Sequence, residues 1–184
     1  QITDGFIKED LGMLHKAEST MRRKREELKN SRRKEMIGFR KIDPEVAMEK
    51  NTWFHLGRNS CEEILYCLRR IADPCEEHVD NNFVPLSKEQ VKEYIPLRDT
   101  VLFLLRRTEK ILQTDSYDEV DEVRREAEEL KDCLEKAREA QMQRMQSSKE
   151  NIAVAYLYLN LLQETRELTS SLRHLLRASK GFRE

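Results

Sequence analysis

Apolar residues along this chain recur at three- and four-residue steps, the period of one face of an α-helix. The cleanest seam is Val120, Val123, Ala127, Leu130, Leu134 and Ala137, at 3-4-3-4-3 spacing. Ile64, Leu68, Ile71, Cys75 and Val79 follow at 4-3-4-4, and Val101, Leu102, Leu104, Leu105, Ile111 and Leu112 form a wide apolar face. The last stripe is Leu157, Leu161, Glu164, Leu168, Leu172 and Leu175, with an acid where a leucine belongs. Solvation at the stripe edge or an arginine partner would account for it. The N-terminal stripe of Ile7, Leu11, Leu14, Glu18, Met21, Arg25, Leu28 and Arg32 grows steadily more polar. Such a helix lies on the surface or lacks a partner.

Capping residues divide these stripes into five helices. Asp43-Pro44-Glu45 sets an acidic N-cap before a proline at the first helical position, where a missing N–H costs nothing. Leu86-Ser87-Lys88-Glu89-Gln90-Val91 reads as a capping box with a Leu86–Val91 staple. Ser116-Tyr117-Asp118-Glu119 and Ser147-Ser148-Lys149-Glu150 repeat the form. The expected helices run from about Asp4 to Arg40, Pro44 to Asp80, Lys88 to Gln113, Tyr117 to Gln146 and Lys149 to Lys180, with Gly181 as the C′ residue. Pro74 should kink the second, because no N–H remains for the carbonyl of Arg70, and Pro96 should bend the third. Only five glycines and four prolines occur in 184 residues, so the expected fold is an all-α elongated bundle of long antiparallel helices.

Charged residues make up 38% of the chain, above the roughly 25% of an average domain. The helical periodicity argues against disorder. The net charge of −1 provides no global field for nucleic acid, which is not an expected partner. The charge is segregated, however. From Lys8 to Lys41 there are twelve Lys/Arg against six Asp/Glu, including Arg22-Arg23-Lys24-Arg25 and Arg32-Arg33-Lys34. From Asp115 to Lys136 there are ten acids against four bases. The simplest reading is a basic helix facing an acidic one within the bundle; the rival is a basic face turned towards phosphate, anionic lipid or RNA.

Chemistry-bearing motifs are sparse. His15, His55, His78 and His174 are scattered and form no HExxH or triad-like pattern. Glu76-Glu77-His78-Asp80 points in several directions on a helix, and His55-Leu56-Gly57-Arg58-Asn59 has one glycine in a helical stretch, not a phosphate cradle. Trp53 beside Phe54 reads as core or interface. Cys61, Cys67, Cys75 and Cys133 have no CxxC spacing and read as small buried apolar residues in a reducing compartment. No run of 18 apolar residues occurs, and no signal peptide opens the chain. The first residue is Gln, and the chain reads as a piece of a longer protein.

Tyr66-Cys67-Leu68-Arg69-Arg70-Ile71-Ala72-Asp73 resembles the YLERIADHA signature on the last helix of each three-helix repeat in the PhoU family. Leu157-Tyr158-Leu159-Asn160-Leu161-Leu162-Gln163-Glu164 occupies the equivalent place ninety-one residues later. Asp118-Glu119-Val120-Asp121-Glu122-Val123 looks like the family's middle helix. The stretch from His55 to Phe83, with the ending Arg173-His174-Leu175-Leu176-Arg177-Ala178, most resembles the PhoU-like cytosolic tail of bacterial sodium/phosphate cotransporters.

The resemblance implies two repeats, residues 1–84 with a middle and a last helix and residues 85–184 with all three. It implies a regulatory or interaction domain at the cytoplasmic face of the inner membrane, contacting its own upstream membrane transport domain, with a homodimer and an anionic membrane surface as further partners. The alternatives are a free-standing PhoU-type regulator of phosphate uptake and signalling, and a helical metal-dependent phosphoesterase, which would be expected to carry His-Asp pairs absent here. No enzymatic activity is expected. PhoU proteins bind metal clusters through acid-x-x-x-acid pairs, four apart on one helix face. Here the second acid persists as Asp73, Asp121 and Glu164, with Glu18 as a counterpart after Leu14, but the first is replaced by Arg69, Tyr117 and Asn160. A tight cluster and any other cofactor are therefore not expected; the remaining carboxylates would suit hard cations. Arg22, Arg23, Lys24, Arg32, Arg33 and Lys34 are the candidate surface for anionic headgroups or the transporter.

Overall fold

The punctuation read from the sequence ends most helices where expected, and the departures come from tertiary contacts. The computed structural model describes residues 1–147 and 150–184, with Arg33, Met36, Phe39 and Ser147 through their backbone alone. The described residues form six helices and no strand: α1 Ile2–Ile7, α2 Leu11–Phe39, α3 Pro44–Asp80, α4 Lys88–Thr114, α5 Val120–Ser147 and α6 Ile152–Arg183. Asp43 caps α3 by accepting from the Glu45 N–H at 2.9 Å, with Pro44 in the first turn. Ser87 and Gln90 complete the reciprocal capping box of α4, at 3.1 and 2.9 Å.

Three boundaries differ from expectation. The single N-terminal helix is broken: Glu9 is left-handed (φ 54°), and Asp10 accepts from the Met13 N–H at 3.0 Å, starting a new helix. α1 thereby folds back, burying Phe6 against His78 and sending Asp4 to Arg98 of α4. The Ser116 box does not form. Its hydroxyl turns to Asp118 at 3.3 Å and α5 starts at Val120, because Arg183 holds the loop through Asp115 and lies 5.6 Å over the Tyr117 ring. Of the Ser147 box, Ser148 and Lys149 lie outside the described residues. Asn151 caps α6 instead, accepting from Ala153 and Val154 at 3.0 and 3.2 Å. Glu150 accepts from the buried amides of Gln90 and Gln141, at 3.0 and 2.7 Å.

The helices pack in the spatial order α2, α3, α6, α5, with α4 against both α5 and α6. Contacts pair Trp53 with Arg177, Gly57 with Ala178 and Arg70 with Glu164, so α3 and α6 run antiparallel. One apolar core extends through both halves of the chain, from Phe6 and Leu14 to Leu172 and Leu176. Every member of the Val120–Ala137 seam is buried. The wide face of α4 is narrower than expected. Val101, Leu104 and Ile111 are buried, while Leu102 and Leu112 are exposed. The cysteines divide likewise: Cys67 and Cys75 are buried, Cys61 is intermediate and Cys133 is exposed, all as free thiols.

Gly181 is not a C′ residue, since α6 continues to Arg183 and no glycine has positive φ. Its reason is a neighbour. A Cβ there would lie 2.5 Å from the Trp53 indole. Gly181→Ala should therefore lower stability, because overpacking of about 1–3 kcal/mol outweighs a helix-propensity gain of about 1 kcal/mol. The single tryptophan should report the displaced ring by changed emission. A raised melting temperature with unaltered emission would refute this contact.

Burial pushes the Cys75 thiol from 9.0 up to about 12. The unfolded chain then releases this proton before the folded chain does, so this thiol's contribution to stability should fall as pH rises from 9 towards 12. A thiol reagent at pH 8 should label Cys133 rapidly and Cys75 only on unfolding; rapid labelling of Cys75 in the folded protein would contradict its burial.

Candidate functional site

The segments Tyr66–Asp73 and Leu157–Glu164 meet across the α3–α6 interface. Pro74 has no N–H for the Arg70 carbonyl, and the Asn160 side-chain amide donates to that carbonyl instead, at 3.1 Å. Asn160 thus satisfies the backbone that the proline disrupts. Four residues on, Glu164 is buried and accepts from Arg70 Nε at 2.7 Å. Arg70 also donates to Glu63 at 2.9 Å and lies 5.1 Å over the Tyr66 ring. These hydrogen bonds, to Glu164 first and then Glu63, hold the guanidinium firmly protonated. Burial raises the neighbouring Cys67 thiol to about 12, which makes it an inert thiol at neutral pH.

The four candidate carboxylates do not converge. Asp73 is exposed and accepts from Arg69 at 2.9 Å, an i,i+4 ion pair. Glu18 is exposed on α2 and lines the same groove as Asp73. Glu164 belongs to the Arg70 cluster. Asp121 is exposed and pairs with Arg124 and Lys180 at 3.4 and 3.6 Å. Lys180 lies sixteen residues beyond Glu164 on α6, about 24 Å along the axis. Among the described residues no group of three or more His, Cys, Asp or Glu could hold a metal ion.

The basic and acidic helices do not face each other, contrary to the simplest reading of the charge pattern. Among the described residues no ion pair joins α2 to α5. The acids of the α5 region turn to α4 and α6. Arg107 meets Glu119, Glu122 and Glu126 at 3.1, 2.9 and 2.8 Å, and Arg173 meets Glu128. The bases of α2 are answered within their own helix: Arg23 and Lys24 share Glu27 at 3.1 and 2.7 Å, and Lys29 pairs with Glu26 at 2.9 Å. Arg22, Arg25, Arg32 and Lys34 are exposed with no ion-pair partner among the described residues, and the side chain of Arg33 lies outside them.

A groove of about 580 Å³ runs between α2 and α3, from Glu18 and Asp73 at one end to Arg32 and Glu62 at the other. Met21, Leu28, Leu65 and Tyr66 provide its apolar lining, while Arg22, Arg25, Lys29, Arg32 and Arg69 contribute cations. Arg58, missed in the sequence, pins the two walls together. Its guanidinium donates to Glu35 at 2.5 Å and to the Leu28 carbonyl at 2.9 Å, with Glu62 at 3.3 Å. The signal was an arginine on the inward side of a helix, obscured by attention to Gly57 beside it. No protein-family model, curated protein or solved structure matches this chain.

Removing either partner of the Arg70–Glu164 pair should have unequal cost. Glu164→Gln leaves Arg70 with Glu63 and solvent, whereas Arg70→Met strands a carboxylate that is 11% exposed. The second should cost about 2 kcal/mol more in urea unfolding. Equal costs would contradict the geometry. Asn160→Ala should cost about 1–3 kcal/mol, and less in a Pro74→Ala background where a backbone N–H returns to the Arg70 carbonyl. Additive losses would show that Asn160 does not serve that carbonyl.

Proposed function

We propose that this chain is a PhoU-like regulatory and interaction domain of a sodium-coupled phosphate transporter, held at the cytoplasmic face of the membrane and acting on the transport domain by contact. The observation that carries this reading is the pairing of Tyr66–Asp73 with Leu157–Glu164. The two segments resemble the same family signature, and they meet on antiparallel helices through the Arg70–Glu164 and Asn160–Arg70 contacts. An internal repeat whose signature segments pack on one another is what two copies of one helical unit would produce.

The remaining features favour contact over chemistry. Several polar groups at the helix interfaces are engaged with one another. Tyr158 donates to Glu93 at 2.8 Å, Arg144 donates to the same carboxylate at 2.8 Å, and Tyr94 pairs with Thr165 at 3.0 Å. A nucleophile oriented by a base is the minimum for covalent catalysis, and these arrangements bind helix to helix. On α2, which packs on α1 and α3, Arg22, Arg25, Arg32 and Lys34 are exposed with no ion-pair partner among the described residues. Asp73, Asp121 and Glu164 are each paired with arginine or lysine, and the proposed action uses no metal.

The test is sodium-dependent phosphate uptake in proteoliposomes containing the transporter encoded with this domain, with and without the domain. Deletion should change the uptake rate severalfold, and charge reversal at Arg22, Arg23 and Lys24 should reproduce part of that change. Uptake identical in the full and truncated proteins across phosphate concentrations would refute the regulatory reading. Elemental analysis after incubation with iron, zinc and manganese should find less than one tightly bound ion per chain.

A further inference from the structure

We propose that the α2–α3 groove is the docking site of an amphipathic helix with an acidic flank. The walls are two antiparallel helices and the apolar lining is recessed between them. From Glu18 to Arg32 the groove follows fourteen residues of α2, about 21 Å, or four turns of a docked helix. Met21 and Leu28 stand seven residues apart on one wall, facing Leu65 and Tyr66 on the other. Tyr66 is 55% exposed, so its ring offers apolar area to a partner seated in the groove. Arg22, Arg25 and Arg32 recur at steps of three and seven along the rim, with no ion-pair partner among the described residues. Of the four lining acids, Glu26 is answered by Lys29, Glu62 by Arg58 and Asp73 by Arg69, which leaves Glu18 alone against Arg22, Arg25 and Arg32. The unmet charge of the rim is therefore positive, and its complement is carboxylate.

The same molecule contains a filled version of this arrangement. α5 and α6 are likewise antiparallel neighbours, and α4 lies against both, burying Val101, Leu104 and Ile111. There the added helix supplies the base: Arg107 meets three glutamates from the α5 region, at 3.1, 2.9 and 2.8 Å. At α2–α3 the signs are exchanged, with the arginines on the wall. A helix carrying glutamates beside its apolar seam fits that rim as α4 fits the other. A bilayer fits less well, since it is flat and the apolar lining is sunk between helices. The inference deepens the contact-based reading above, and rests on it for the source of the helix.

The probe is a fluorescently labelled 21-residue helical peptide with leucine at the a and d positions and glutamate at e and g, with a lysine-for-glutamate version as control. Anisotropy titration should give saturable one-to-one binding of the glutamate peptide, weakened at least tenfold by Arg25→Glu with Arg32→Glu, and weakened by salt. The lysine peptide should bind at least tenfold less well. Tyr66→Ala should weaken binding without altering the salt dependence, and circular-dichroism melting should show all variants folded. No binding of the glutamate peptide, or equal binding of both peptides, would overturn the proposal. Co-sedimentation with phosphatidylglycerol vesicles that the double variant abolishes, with no peptide binding, would assign these arginines to lipid and overturn it too. A failed peptide titration leaves the uptake test standing. Intact peptide binding with unaltered uptake would move the partner helix to another protein.

Discussion

Everything in this bundle hangs on the antiparallel pairing of α3 and α6. Pro74 in α3 deprives one carbonyl of its helical donor, and Asn160 in α6 supplies a replacement at 3.1 Å. That replacement is in place only while α6 is docked in register. Arg70 and Glu164 fix that same register with a partly buried charge pair, and Gly181 allows the far end to close on the Trp53 ring. Three local demands, one backbone, one electrostatic and one steric, are met by a single alignment. The other helices then add to this axis: α2 to one side, α5 and α4 to the other.

That arrangement separates the charge. Because α2 packs on α3 and α5 on α6, the basic and acidic helices occupy separate flanks of the central pair. α5 buries its seam, and its acids Glu122 and Glu126 are met by Arg107, Glu128 by Arg173 and Asp121 by Lys180. α2 buries Leu14 and Ala17 near its start, while Arg22, Arg25 and Arg32 remain in solvent further along. Exposed ion pairs of the Arg23–Glu27 kind stabilise a helix by only a few tenths of a kcal/mol. A helix so supported depends on Arg58, and its outer half remains available for contact.

Helix identity was legible because 3.6-residue periodicity and side-chain caps are local. Asp43, Ser87 and the Val120–Ala137 seam carried enough information by themselves. The misread boundaries were those decided at a distance. Ser116 fails as a cap because Arg183, sixty-seven residues away in sequence, holds the loop. The Glu150 carboxylate is taken by Gln90 and Gln141, and Asn151 provides the cap in its place. The break at Glu9 and Asp10 followed from an aspartate cap within a continuous periodic stripe, which periodicity alone cannot register. Glu164 was visible as an acid in a leucine position, but its partner Arg70 was not, since pairing across ninety-four residues depends on helix register. The charge asymmetry was visible as composition; its distribution over separate flanks required the packing.

The central claim is that stability resides in the α3–α6 axis and declines towards the outer half of α2. Amide hydrogen exchange measured by mass spectrometry tests it most directly. The account predicts the slowest exchange in residues 64–79, 123–137 and 157–172, with residues 22–38 exchanging far earlier, through local opening. Protection of residues 22–38 equal to that of residues 157–172 in the isolated chain would contradict it, because α2 would then be bound into the core as tightly as the axis itself.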